Sequence, residues 1–464
     1  MTAVSQSPST TESHGLTSEF EHEPVPAAYR RRWLSVAAVW FGFPMILTNA
    51  VFGGVIVYGL GFVPGLLAIL VGNLVLALYV GLLSHLAGSS GRNFALVAKS
   101  TFGNRGYAIA SGFLSTIVIG WFAFQTGLTG STLHSTLGWN EPGTILLAGV
   151  LYIAVTFIGI RALAILGAVA APMFLVLAAV AIWFVASGHG LGQVLGYAGQ
   201  PGAVVASIGA AVTMTVAGFA DSGTMTADFT RWAKDGRSAV GASLTAFPVA
   251  NFISMAVGGL IVAAGAATDA ANDGGDFLGI LVGHGWLLTA IAVAFVFINL
   301  GSVCTHCLYN GAVGWSHITA SKMRLLTIVL GVIGVIAAVA GVWTLFADWL
   351  NILGVFVPPI GAVLITDQLL LRRQAAHRDA TPYRPTAFAA WAVGAVVAGV
   401  VHFTAPAYAE AVAGILAAGL AYLAIARLTA TAAPAPAASA APAASAAPTA
   451  SAAERVAATE GGAQ

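Results

Sequence analysis

Twelve runs of apolar residues, each long enough to cross a bilayer, fill most of this chain. They lie at 33–58, 62–86, 107–132, 144–160, 163–187, 204–226, 239–264, 286–311, 325–343, 346–367, 386–404 and 408–426. A helix needs about 20 such residues to cover the hydrocarbon core, and a chain with many of them folds inside the membrane. The composition agrees: 58% of the 464 residues are hydrophobic and 8% are charged, against about 25% charged in a soluble domain. The 55 glycines suit helices that pack closely or break. The expected class is an all-α integral membrane protein with twelve transmembrane helices.

Charge placement is an independent check on the division. All 18 Lys and Arg fall on one side of it. Arg30, Arg31 and Arg32 precede the first run; Arg92, Lys99 and Arg105 follow the second, and Arg161 the fourth. Arg231, Lys234 and Arg237 follow the sixth run, and Lys322 and Arg324 the eighth. Arg372, Arg373, Arg378 and Arg384 follow the tenth, and Arg427 and Arg455 the last. The opposite loops carry Glu141, Asp269, Asp273, Asp276 and Glu410 and no base. One missed or extra span would scramble this segregation. The basic side is expected to be cytoplasmic, in the cell membrane, with both termini there. Residues 1–28 are polar, without the basic-then-apolar plan of a signal peptide. The Ala/Pro/Ser-rich tail, 428–464, lacks the large apolar residues that offset ordering entropy. Both ends are expected to be disordered around a transporter domain at 29–427.

Two runs contain helix breakers. The first has "WFGFPMILTNAVFGG", with Pro44 between Gly42 and the Gly53–Gly54 pair. Proline removes a backbone donor and clashes with the preceding turn. The sixth has "AGFADSG", where Gly218 and Gly223 flank Asp221. If runs 1–5 and 6–10 are two repeats, the breaks fall in corresponding helices. That arrangement is the sequence pointer to a transporter with inverted repeats and a mid-membrane site. A carboxylate at this depth costs roughly 2.5–3.5 kcal/mol on insertion scales, so Asp221 either faces a cavity or accepts bonds from freed backbone amides. Asp228 sits with Arg231 and Lys234 at the basic end, where a solvated or paired structural role is expected.

Other polar residues share helix faces. Trp121 and Gln125 are four apart, so an aromatic face and an amide point the same way, as a flat hydrogen-bonding heterocycle requires. Asn299 and Ser302 are three apart and offer oxygen ligands suited to a hard cation such as sodium, or ordinary interhelical hydrogen bonds. In "CTHC", helical spacing does not gather Cys304, His306 and Cys307 on one face, and no fourth ligand is evident, so no metal site is expected. No nucleophile–base pair points to an enzyme, and nothing points to a cofactor or a nucleic-acid partner.

The stretches "GWFAFQ", "SGTMTADFTRWAK", "VANFISM", "FINLGSV" and "VPPIGAVLITDQLLLRR" resemble nucleobase–cation symport family 1, and within it the cytosine and purine–cytosine permeases. The resemblance runs from about residue 36 to 427. It implies a sodium-leucine-transporter-like fold of two inverted five-helix repeats plus two extra helices. It also implies import of a nucleobase, most simply cytosine or a purine, coupled to Na+ or H+; uracil, hydantoin, allantoin or a thiamine precursor is the alternative cargo. By the same resemblance Trp121 is the stacking platform, Phe219 covers the substrate, and Gln125 and Asn299 hydrogen-bond to it. Gly42 and Met45 carbonyls with Asn299 and Ser302 form the cation site. Two positions depart from the family pattern: Val303 stands where a second hydroxyl is expected, and Asp221 replaces a small polar residue. Asp221 is accordingly expected either to accept substrate N–H groups or to carry a proton.

Overall fold

The computed structural model describes residues 19–188, 191–271, 273–371 and 381–431. Among these there is no strand; the isolated Arg31–Ala233 bridge is the sole β-type pairing. The helices are α1 (Trp33–Gly42), α2 (Leu47–Leu60), α3 (Phe62–Ser90), α4 (Phe94–Phe102), α5 (Tyr107–Leu137), α6 (Glu141–Ile158) and α7 (Ile160–Gly188). They continue with α8 (Ile208–Ala217), α9 (Ala220–Thr224), α10 (Ala227–Thr230), α11 (Gly236–Leu244), α12 (Asn251–Ala263), α13 (Leu278–Leu281) and α14 (Trp286–Thr319). The last are α15 (Met323–Val339), α16 (Phe346–Phe356), α17 (Pro358–Ile365), α18 (Pro385–Thr404) and α19 (Glu410–Thr431). Within the described residues nine helical segments are long and apolar enough to span a membrane, and α1 with α2 forms a tenth across a 56° bend. The chain is therefore a multi-pass membrane protein.

Both expected breaks are present. Helix α1 stops at Gly42 and α2 restarts at Leu47, with Ile46 extended between them. The run at 204–226 divides into α8, α9 and α10, with Phe219 non-helical at the first division. The long α5 and α14 lie against each other, and α6, α7 and α15 pack around them. Across from this group α2 lies along α12, α3 along α8 and α11, and α1 against α7 and α11. The two breaks meet between the groups. Close approach there depends on small residues: a Cβ on Gly258 of α12 would stand 1.8 Å from the Ala50 carbonyl oxygen of α2.

The basic loops gather on one face. Glu19 accepts from the Ile160 N–H and from Tyr309, Glu21 accepts from Asn93 and Met323, and Arg324 donates to the Phe157 carbonyl. On the other face the end of α2 meets 197–200, and Gly209 abuts the 407–408 backbone.

Near the N-terminal end the chain is held at Glu19 and Phe20: the fully buried Arg231 guanidinium donates to their carbonyls at 2.8 and 2.7 Å. Helix α19 runs past 428, to Thr431, because an Ala-rich sequence extends a helix at little cost. Residues 1–18 and 432–464 of the expected disordered ends lie outside the described residues.

Candidate functional site

The first break frees backbone groups in the middle of the membrane, and side chains from distant helices take them up. The Asn299 side-chain oxygen accepts the Leu47 N–H at 2.8 Å, and its nitrogen donates to the Met45 carbonyl at 2.6 Å. Asn49 donates to the Pro44 carbonyl (2.6 Å) and to the Asn251 side chain (2.8 Å), and Asn251 donates to Asn73 (2.9 Å). This amide chain ties the break in the first span to α12 and α3.

The expected cation ligands are brought together where α1 ends against α14. The Ser302 hydroxyl lies 3.5 Å from the Gly42 carbonyl, and Asn299 holds Met45. In this arrangement both ends of the Asn299 amide serve the helix break. The same region holds His306, which contacts the Ser302 and Val39 carbonyls and stacks on Phe43 at 4.7 Å. Cys304 turns to Thr126 instead, so the "CTHC" side chains face different neighbours.

Four of the expected substrate residues surround one cavity. Trp121 and Gln125 come from α5, and Phe219 and Asp221 from the second break. Phe43, Ile46, Thr48, Asn49 and Phe52 close it from the first break, and Val303 and Cys307 from α14. Asn299 is not in this wall. Phe43 and Phe219 meet edge to face, 5.4 Å apart at 88°. The free space is about 10 Å³, near the least that admits a single water. A ring can enter only if the aromatic walls separate.

Gln125 and Asp221 each bring a buried polar atom to the wall that no protein group satisfies. Thr48 donates to the Gln125 side-chain oxygen at 2.8 Å, which leaves the Gln125 amide nitrogen, buried and unbonded, as a donor. One Asp221 oxygen accepts the Ser222 N–H at 2.6 Å; the other is buried with no partner in the structure. No basic residue lines the cavity. A planar ligand that accepts from Gln125 and donates to Asp221 fits this inventory. Asp228, by contrast, is structural but not solvated. It is 1% exposed, and one of its oxygens accepts the Phe94 N–H at the start of α4 (2.9 Å), because residues 19–31 cover that end.

Thr48, Asn49 and Phe43 were not among the residues singled out from sequence. Their signal was position: all lie within one turn or so of Pro44, where a broken helix turns side chains toward the gap.

Residues 24–424 match the family described as permeases for cytosine/purines, uracil, thiamine and allantoin. The chain belongs to that family of membrane permeases. It is 29% identical over 358 residues to the cytosine permease of Escherichia coli (strain K12), covering 77% of this chain and 83% of that one. Its fold is that of a nucleobase–cation-symport-1 transporter. It superimposes on Mhp1 in a closed conformation with bromovinylhydantoin bound, with a TM-score of 0.74 at 22% identity, covering 89% of this chain and 96% of Mhp1. On the inward-facing conformation of Mhp1 the TM-score is 0.68 at 21% identity, covering 91% of this chain and 96% of that chain. The inverted-repeat architecture expected from the motifs is therefore the fold.

The double use of Asn299 gives a prediction. Asn299→Ala leaves the Leu47 N–H and the Met45 carbonyl unpaired and should cost about 1–3 kcal/mol. Asn299→Asp keeps the acceptor but sets an oxygen against the Met45 carbonyl, and should lose at least as much. Thermal unfolding of the purified protein without substrate measures both. Unchanged melting in the two variants would remove Asn299 from the break.

Proposed function

We propose that this protein is a secondary active transporter that imports a free nucleobase, most simply cytosine or a purine, coupled to a cation. The observation that carries the reading is the aromatic cavity between two broken spans, with one buried donor on Gln125 and one buried acceptor on Asp221. Trp121 is the stacking platform and Phe219 the cover. In this reading Asn299 acts by holding the first break, beside Gly42, Met45 and Ser302 of the cation site. Family membership and the name of the Escherichia coli relative support a nucleobase cargo. Counterflow of labelled cytosine, adenine, uracil and hydantoin in proteoliposomes tests it. No exchange of any of them would overturn it, and exchange of hydantoin or uracil alone would move the cargo within the family.

The proposal includes twelve spans in the cell membrane, with the basic face and both termini cytoplasmic. Three of the twelve are the broken first span, the divided α8–α10 segment and the 17-residue α15. Reporter fusions at residues 138 and 272 should read as external, and a cytoplasmic signal from either breaks this topology.

Stacking on Trp121 should be worth about 1–3 kcal/mol, by analogy with base–aromatic stacking. Trp121→Ala should then weaken base affinity about 5- to 150-fold, and Trp121→Phe should retain part of it. Equilibrium binding to the folded variants decides; unchanged affinity in Trp121→Ala rejects the platform.

Coupling is proposed to use protons at least as much as sodium. Val303 removes one hydroxyl from the cation site, and Asp221 brings an ionisable group into the cavity. Asp221→Asn keeps shape but cannot ionise. It should exchange base yet lose accumulation driven by an inward pH gradient. Strict sodium dependence of the wild type at matched pH would leave Asp221 as a substrate ligand only.

A further inference from the structure

A second, larger cavity lies away from the substrate site, on the lipid side of the first and seventh spans. It occupies about 650 Å³ between α1 and α11. The two helices start level with each other: the Arg31 N–H donates to the Trp232 carbonyl at 2.6 Å, and Arg31 pairs with Ala233 in a parallel bridge. Both then run inward from the basic face, which gives the groove a direction. Trp33, Arg237 and Ser238 line its mouth, and Phe41, Leu244 and Val249 line its depth. At 1.5 Å per residue, Phe41 is about 12 Å further in than Trp33, and Leu244 about 10 Å further in than Arg237, with Val249 beyond the bend.

The mouth is cationic and the depth is apolar. Arg237, Lys234 and Arg32 are all exposed. Among the described residues none of them forms an ion pair with a carboxylate. The nearest acid in sequence, Asp235, uses a side-chain oxygen to cap the start of α11 at the Ser238 N–H, 2.8 Å away. Arg30 spends its guanidinium on the Gly88, Val25 and Lys234 carbonyls. Further in, Leu244 is 41% and Val249 46% exposed. The groove is open because Gly241 has no neighbouring atom where a side chain would stand, and because the span bends at Phe247–Pro248 below α11.

Bases at this level follow from topology alone. A groove that begins at Arg237, with exposed Lys234 and Arg32 at the starts of the same two helices, and continues for about 10–12 Å of largely apolar wall does not. Its polarity along the membrane normal matches one lipid: an anionic head on an acyl chain. Basic pockets between membrane helices recognise such headgroups. We propose that this groove binds one anionic phospholipid, with the headgroup phosphate at Arg237, Lys234 and Arg32 and an acyl chain over Phe41, Leu244 and Val249. The lipid would tie α1 to α11, next to the break that walls the substrate cavity. The site does not depend on which base is carried.

Native mass spectrometry of the full-length protein titrated with phosphatidylglycerol or phosphatidylcholine of equal chain length tests this. One phosphatidylglycerol per chain should be retained at concentrations where phosphatidylcholine is not. Arg237→Gln and Lys234→Gln should each weaken retention about five-fold. Arg105→Gln, basic and exposed on the same face but outside the groove, should leave it unchanged. Leu244→Trp keeps every charge and fills the groove, so it should displace the lipid even if a charge variant fails to fold. Equal retention of the two lipids, equal loss in Arg105→Gln and Arg237→Gln, or full retention in Leu244→Trp would overturn the site. So would an equal gain in melting temperature from inorganic phosphate alone, which needs no groove.

Discussion

Backbone N–H and C=O groups inside hydrocarbon have no water to bond, and each one left unpaired costs several kcal/mol. This chain nevertheless breaks its first span at 43–46 and divides the apolar run at 204–226 at 218–219. The breaks are tolerable because amides from other helices stand in for the missing helical partners. Asn299, 252 residues from Leu47, takes both a donor and an acceptor of the first break. Asn49, Asn251 and Asn73 continue the same work across three helices. Without these pairings the two groups of helices would have no defined way to meet, and the cavity between them would have no fixed wall.

The same bookkeeping separates structure from function. Asn299 and Asn251 each use both ends of the amide within the protein, and Asn49 donates twice from its nitrogen. Gln125 uses its oxygen and keeps its nitrogen; Asp221 uses one oxygen and keeps the other. An unpaired buried polar atom is an expense that a stable fold avoids. Two of them in the wall of one aromatic cavity fit the proposed ligand, which would meet both. Asp228 also keeps one oxygen unbonded, but it caps α4 and is not in the cavity wall.

Much of this was legible in sequence, and the limits have physical causes. Apolar runs and the segregation of Lys and Arg located the helices and the shared face of their loops, because both follow from the bilayer rather than from tertiary contacts. Pro44 and the glycines around Asp221 marked the breaks, since their backbone effects are local. Trp121 and Gln125 could be paired because i, i+4 spacing is enough to put them on one face. For Asn299 the spacing to Ser302 gave the face and nothing more. Whether an amide meets an ion or the backbone of a helix 252 residues away is decided by tertiary packing. Asp228 was read as an aqueous-end residue because its neighbours are basic. It is buried because residues 19–31 fold back over that end, a contact across about 200 positions that no local pattern encodes.

The cavity's construction also bears on how transport works. Trp121 and Gln125 stand on α5, an unbroken helix of 31 residues packed along α14. Phe43, Thr48, Phe219 and Asp221 stand on or beside the two breaks. On the proposed reading, recognition is divided between an unbroken helix and the residues at two breaks. Thr48 crosses this division, since it sits on α2 and orients Gln125 on α5. With about 10 Å³ between the walls, the proposed stacking of a base on Trp121 requires Phe43 and Phe219, which meet edge to face, to move apart. Those rings stand at the two breaks, so on the proposed reading admission of the base and displacement of the broken helices are one motion. A transporter that must not open to both sides at once needs such a property: the contact proposed to recognise the cargo would be the contact that the gate has to break.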